Sequence, residues 1–297
     1  MCALCKFFAY NVIFFIVLFI FLLLICIFVK NDYLMYRGFN LSLVKLDFGK
    51  DYFRYYKIGK TSIKQSKESI EETIGSFVGV DGSLDGSKMQ ANWFPQIKAD
   101  VFISHSHKDL KLAIALAGWL NETFGLTAFI DSCVWGYADD LIRLIDNKYC
   151  RKGSRLYNYE KRNYSTSHVH TMLSVALTQM IDNTECLFFL NTPNSLTPNT
   201  IIEKTESPWI YSEIVMSRLI RENPPERMKS RSLNESQKTF TAERENIPIS
   251  YDLSVDHLTA IDVKTLLAWK YDYRNSPEPE EIALDTLYKL TIEKDGK

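Results

Sequence analysis

Neither positive nor negative charge is in excess in this chain. Its 35 Lys and Arg stand against 36 Asp and Glu, a formal charge of −1. Without a basic excess there is no electrostatic footprint for a nucleic acid, and no direct nucleic-acid binding is expected. Cysteine is scarce as well. Of the six, Cys2, Cys5 and Cys26 belong to the N-terminal stretch, while Cys133, Cys150 and Cys186 are scattered without CxxC spacing. That argues against a disulfide-stapled scaffold and fits reduced thiols. With 12 glycines and 9 prolines among 297 residues, the chain is no collagen. Apolar residues are plentiful, at 46% beside 24% charged, which is enough to bury a core and too much for a disordered chain.

The apolar content is uneven. Phe7–Val29 (FFAYNVIFFIVLFIFLLLICIFV) holds no charge, and Asn11 is its only strongly polar residue. As a helix it would span about 34 Å, enough for a hydrocarbon core of about 30 Å. A cleaved signal peptide would have a shorter apolar run ending in a small-residue site, which is absent. An uncleaved single-pass anchor is expected, with residues 1–30 as its unit. Lys6 precedes it, whereas Lys30, Arg37, Lys45, Lys50, Arg54, Lys57 and Lys60 follow. The excess of cations after the span places the N-terminus outside and the long C-terminal part in the cytoplasm.

Residues 31–98 read as a juxtamembrane region and linker. Tyr33, Tyr36, Phe39, Tyr52, Phe53, Tyr55 and Tyr56, interleaved with cations, suit a membrane-proximal surface or a small folded layer. Ile63, Ile70, Ile74 and Phe77 share one helical face over 62–77. DGSLDGS, residues 81–87, resembles the start of a calcium loop but lacks the final bidentate Glu, so a hinge is expected. From Ala99 the pattern changes. A buried strand at Asp100–Ser104 leads to a helix at Asp109–Phe124 stopped by Gly125, and a second strand covers Thr127–Ile130. Helices follow near 139–147 and 168–182, separated by an exposed insertion at 148–166. A strand at Cys186–Leu190, a helix from Pro208, a charged loop at 222–246, a strand at Ile247–Tyr251 and two C-terminal helices complete the reading. Alternation of this kind predicts a parallel sheet covered on both faces, with ligands beyond the carboxyl ends of its strands.

Three pieces together resemble the Toll/interleukin-1 receptor (TIR) domain family. DVFISHSHKD, Asp100 to Asp109, is similar to that family's first strand and box. FIDSCVWG, Phe129 to Gly136, is similar to its second strand and the mobile loop that follows. LFFLNTPNSL, Leu187 to Leu196, with SPWIYSEI, Ser207 to Ile214, resembles a fourth strand and its helix, including the Trp-x-x-x-Glu element as Trp209 and Glu213. The third strand is not visible where the family has it, and the paired His105 and His107 depart from many members. The resemblance implies a flavodoxin-like α/β domain over 99–297.

Enzymatic members of the family cleave the nicotinamide–ribose bond of NAD with a Glu at the position of Glu213, so the resemblance implies NAD as substrate and no resident cofactor. The chemistry is intelligible. Loss of nicotinamide leaves an oxocarbenium-like ribosyl cation, and a fixed carboxylate stabilises it. Nicotinamide already carries a positive charge and leaves without a general acid, so one carboxylate suffices. Trp209, Trp135 and Phe102 supply candidate apolar or stacking surface. Ser104, His105 and Asp131 join the candidate pocket at strand ends, although the Ser104–His107 turn serves equally as a helix cap. The plain alternative makes Trp209 a core aromatic and Glu213 a partly exposed helix carboxylate of little weight in folding.

Linear and cyclic products both remain open. In a bacterium the resemblance implies anti-phage defence by NAD depletion or a nucleotide signal, switched on by self-association or an effector protein. Many members act instead as assembly modules through the loop near 132–138, so a non-catalytic signalling adaptor is the alternative. A phosphoacceptor receiver would need an acidic pair after the first strand, where this chain has Ser-His-Ser-His. His105-x-His107 and His168-x-His170 would make a zinc site only if they converged. No metal is expected.

Overall fold

A computed structural model of the chain describes residues 36–66, 74–153, 156–196, 204–205, 207–220, 225, 251–276 and 282–295. Phe7–Val29 and the loop at 222–246 lie outside or almost wholly outside them. No helix among the described residues is long and apolar enough to cross a membrane.

Five parallel strands make one sheet. They are β1 (Arg37–Ser42), β2 (Val101–Ser104), β3 (Ala128–Phe129), β4 (Cys186–Asn191) and, after the short pair β5 (Lys204–Thr205) and β6 (Tyr251–Asp252), β7 (Thr259–Asp262). Their order is β3-β2-β4-β1-β7, with β5 and β6 paired antiparallel beside it. Val101–Ser104 and the first five residues of β4 are wholly buried, as continuous apolar runs between two helical layers should be. This is an α/β fold with a helix-flanked parallel sheet, consistent with a flavodoxin-like architecture.

The structure draws the domain boundary differently from the one expected at 98/99. Residues 34–297 form a single unit. Arg37–Ser42, expected in a juxtamembrane segment, is an internal strand that pairs with β4 along its whole length and with β7 over four residues. Arg37 holds it at one end by donating to Thr259 Oγ1 at 2.8 Å and Thr291 Oγ1 at 3.0 Å. The strand at Cys186, expected as the fourth of the domain, lies directly beside β2 and is the third counted from Val101. The last sheet strand is Thr259–Asp262. Of the strand expected at 247–251, the described part, Tyr251, pairs with Thr205 outside the sheet.

Helices are α1 (Tyr52–Ser66), α2 (Gly86–Trp93), α3 (Leu110–Phe124), α4 (Ala138–Ile145), α5 (Tyr159–Asp182), α6 (Pro208–Leu219), α7 (Val263–Asn275) and α8 (Ala283–Asp295). The helix expected over 62–77 starts instead at Tyr52, and Ile74–Phe77 is a separate 3-10 turn. Asp85 of the expected hinge accepts from the Lys88 N–H and caps α2. The expected insertion at 148–166 ends in the first turns of α5, from Tyr159, anchored where Arg162 and Ser165 donate to the buried Asp146 at 2.8 and 2.6 Å. Gly125 ends α3 in the left-handed region, φ 72°.

Side chains alternate across the sheet. Phe39 and Phe188 face Trp269 of α7 and Tyr288 of α8. Phe102 and Ser104 face the opposite layer, which holds α5 and α6. α3 is buried almost all round because α7 packs on it through Trp119, Phe124 and Trp269, while α1 lies against its other side. That α1–α3 contact is made backbone to backbone. A Cβ on Gly59 would sit 2.0 Å from the Ile114 carbonyl oxygen, and one on Gly118 would sit 1.9 Å from that of Tyr55.

Gly118→Ala is therefore expected to destabilise the fold. Helix propensity gains about 1 kcal/mol. A main-chain oxygen cannot rotate away, so overpacking should take the upper part of its usual range, about 3 kcal/mol. A melting temperature several degrees below wild type is expected in thermal denaturation, at about 2–4 °C per kcal/mol. An unchanged or higher value would show that the two helices do not touch there.

Candidate functional site

The chain leaves β2 toward β3 on one side and later returns as β4 on the other. The carboxyl end of β2 is thus a topological switch point, where parallel sheets open a crevice. Ser104 is the last residue of β2 and His105 follows it. Both are buried. A single helical turn, Asp131–Val134, begins just past the end of β3. Over this edge lies α6, whose N-cap Ser207 accepts from the Ile210 N–H and whose first turn carries Pro208. That start sets the helix phase that turns Glu213 toward the sheet.

Ser104 Oγ donates to Glu213 Oε2 at 2.6 Å. Glu213 is 3% exposed, which corrects the expectation of a partly exposed helix carboxylate. Burial, and then the negative charge of Asp131, push its carboxyl well above the usual carboxylate range, against the opposing pull of the Ser104 hydrogen bond. His105 is pulled below the ordinary histidine range by burial, although Asp131 works the other way. Its Nε2 lies 3.3 Å from Ser132 Oγ. Burial thus disfavours the charged form of both Glu213 and His105.

A second group of contacts ties the β2 and β4 loops together. Thr192 Oγ1 donates to Asp109 Oδ2 at 2.5 Å, and Asn194 Nδ2 donates to Asp109 Oδ1 at 2.8 Å. Ser195 Oγ donates to the Leu190 carbonyl at 2.8 Å. These bonds hold the two walls of the crevice in register. Asn40 of β1 is in register with Phe189, which is in register with Ser104, so the three share a height on one sheet face. The Asn40 Oδ1 is buried without a partner, a state that costs about 1–3 kcal/mol.

Ser104, His105, Asp131 and Glu213 thus come together. The expected aromatic surface does not join them. Phe102 is fully buried against Phe129, with ring centroids 5.3 Å apart. Trp135 packs on Phe94 and Phe129 and donates its indole N–H to the Pro95 carbonyl at 2.9 Å. Both rings belong to the core beneath the site and have no free face. Trp209 is half-buried and meets His170 of α5 edge-on at 5.5 Å. The two His-x-His pairs do not converge either. His105 bonds Ser132, whereas His168 packs on Tyr164 and His170 on Trp209. Among the described residues no group of three or more His, Cys, Asp or Glu could hold a metal.

Sequence reasoning missed Ser132 and the Asp109–Thr192–Asn194 knot. The Ser and Thr hydroxyls beside each strand end were visible, but the pairing spans 83 residues. It also missed His257, one helical turn further along α6. Arg218 Nε donates to its Nδ1 at 3.3 Å, so its Nε2 carries the proton and faces Ser217 Oγ at 2.9 Å. Ser217 Oγ in turn donates to the Ile214 carbonyl. Burial, and then the Arg218 charge, lower His257 to about 4. This is a structural strut, since the imidazole offers Ser217 no base. No protein-family model, no curated protein and no solved structure matches the chain.

The buried acid makes a stability prediction. Its folded-state pKa lies above the unfolded value of about 4.3, so the folded protein holds the extra proton between the two. Stability from this group falls as pH rises through that window. Glu213→Gln keeps a Ser104 partner and removes the titration. Urea denaturation from pH 5 to 8 should show the variant gaining on wild type as pH rises. A stability difference that stays constant with pH, or shifts in favour of wild type as pH rises, would mean that Glu213 ionises freely in the fold.

Proposed function

We propose that this chain is a membrane-anchored, TIR-like NAD glycohydrolase or cyclase whose domain faces the cytoplasm. The observation that carries the reading is the buried Glu213 carboxyl, bonded to Ser104 and beside Asp131 at the switch point of the sheet. NAD brings a cationic nicotinamide riboside to that place. An opposite charge beside a desolvated carboxyl favours its ionised form, so substrate binding would release the Glu213 proton. The resulting carboxylate then faces the ribosyl cation as nicotinamide departs. Asp131 adds negative potential, and the unpartnered Asn40 Oδ1 can accept from a ribose hydroxyl or the carboxamide. Cleavage leaves nicotinamide and an ADP-ribosyl unit, closed by water or internally. Held at a membrane and turned on by self-association, such an activity suits anti-phage defence.

A second reading has its own support. Glu213 is sealed from solvent, and in a non-catalytic adaptor the same Ser104–Glu213 bond would be a strut tying α6 to β2. Turnover separates the two. The full-length protein in vesicles should convert NAD, with a rate per molecule that rises with its surface density. If the carboxylate supplies about 3–4 kcal/mol, Glu213→Gln should lower kcat roughly 10²–10³-fold. Glu160→Gln, on the exposed first turn of α5, should leave the rate intact.

The free-enzyme pH profile follows from the same group. Because the active form is the ionised one, kcat/KM should climb with pH through the raised pKa of Glu213, and kcat should be less sensitive once substrate is bound. No nicotinamide release at any density would favour the adaptor. Full activity in the Glu213→Gln protein would leave the fold standing and sink the site.

A further inference from the structure

α1 buries Tyr52, Tyr55, Gly59 and Ile63 against α3 and leaves its other side to solvent. The exposed side is ordered by charge. Phe53, Lys57, Lys60 and Lys64 stand at i, i+4, i+7 and i+11, a single stripe about 17 Å long. All four are exposed, Phe53 at 66%. No acidic residue occurs anywhere in the helix. At its start Lys45 Nζ lies 5.3 Å from the Phe53 ring centroid, and Leu46 beside it is 86% exposed. Arg54 lies off the stripe and is spent on Asp51 and Glu122, so the free cations are the lysines. Alongside runs a groove of about 350 Å³ lined by Lys57, Ile58, Thr61, Ser62, Gln65 and Asn121, in which hydroxyl and amide donors accompany one ammonium and one apolar side chain.

We propose that this stripe docks on the anionic headgroups of a lipid bilayer, with the groove seating a headgroup phosphate and Phe53 and Leu46 entering the interface. The inference rests on the membrane-anchor reading of Phe7–Val29. Seven residues, 30–36, separate that run from β1, and fully extended they reach at most about 25 Å. A domain on so short a tether meets the membrane with some face. Lysines beside exposed apolar residues are what an anionic interface attracts. The aromatic residues read from sequence as membrane-proximal therefore divide. Among the described ones Phe39, Tyr52 and Tyr55 are core, Tyr36 and Tyr56 are half-buried, and Phe53 is exposed beside the lysines.

The test is lysine footprinting of the full-length protein by acetylation and mass spectrometry. It is run in detergent micelles, in phosphatidylcholine vesicles and in vesicles containing phosphatidylserine. Lys57, Lys60 and Lys64 should react roughly five-fold more slowly on the anionic vesicles than on the zwitterionic ones. Lys148 and Lys161, on the other side of the sheet, should react alike on both. High salt should abolish the difference. In the triple variant Lys57→Gln, Lys60→Gln, Lys64→Gln, the protection of Lys45 should fall as well. Equal labelling on the two kinds of vesicle overturns the proposal. Protection already present in micelles overturns it too, assigning the stripe to a second copy of the chain. Resistance of the protein to carbonate extraction from phosphatidylcholine vesicles reports the anchor separately, so its failure is distinguishable from failure of the stripe.

Discussion

A strand buried inside a parallel sheet must find hydrogen-bond partners on both edges, because no water reaches its backbone. β1 meets that demand by lying between β4 and β7, and the arrangement of the other layers follows. β7 joins the sheet only through β1. α7 and α8 close over the face that Phe39 presents, with Tyr288 stacked on its ring. The far side of β4 is left for β2, so the crevice opens between strands that the chain visits 80 residues apart. A segment N-terminal to the rest of the domain thus sets where the site can be. Fixing β1 also fixes Asn40 at the height of Ser104.

The electrostatics of that crevice follow from enclosure. A carboxyl drawn out of water beside another carboxylate resists ionisation, and one hydroxyl donor does not compensate. Ser104 makes the enclosure tolerable by satisfying one oxygen of Glu213. Asp131, at the rim and half-exposed, keeps contact with water. The two acids thus differ in environment, one enclosed and the other at the rim. The knot at Asp109 adds rigidity to the walls.

Legibility of the chain was uneven for physical reasons. Asp100–Ser104 and Cys186–Leu190 were plain because strands buried on both faces are continuous apolar runs. Gly125 marked a helix end because the residue after α3 needs a positive φ, which glycine adopts without strain. Arg37–Ser42 escaped because it reads RGFNLS. Its arginine and asparagine suit a surface, and only tertiary partners such as Thr259 and Thr291 make the arginine tenable there. Thr259–Asp262 was too short to show a period. The first turns of α5 are polar on almost every side and have no apolar stripe to announce a helix. In the site, Ser104, Asp131 and Glu213 were legible as residues at strand ends and on a motif. The depth of Glu213 was not, since exposure depends on what covers a helix. Trp135 and Phe102 misled for the converse reason, as an aromatic near a strand end looks the same whether it faces a ligand or the core.

Enclosure also bears on how the proposed reaction would be governed. A buried carboxyl that resists ionisation is poorly suited to stabilising a cation, and the β2 and β4 loops beside it are tied together through Asp109. On the proposed reading, admitting a substrate would uncover Glu213, and the same opening would let its proton leave. Access and ionisation are then one event. An association that favours the open loops would raise both together, whereas a change that only loosened the fold would admit water and leave the carboxylate solvated and weak. On this argument, activity under clustering depends on which contacts the associated domains make near 132–138. Mere proximity at the membrane would raise the encounter rate without opening the crevice. That dependence is the physical difference between a domain that is switched and one that is only concentrated.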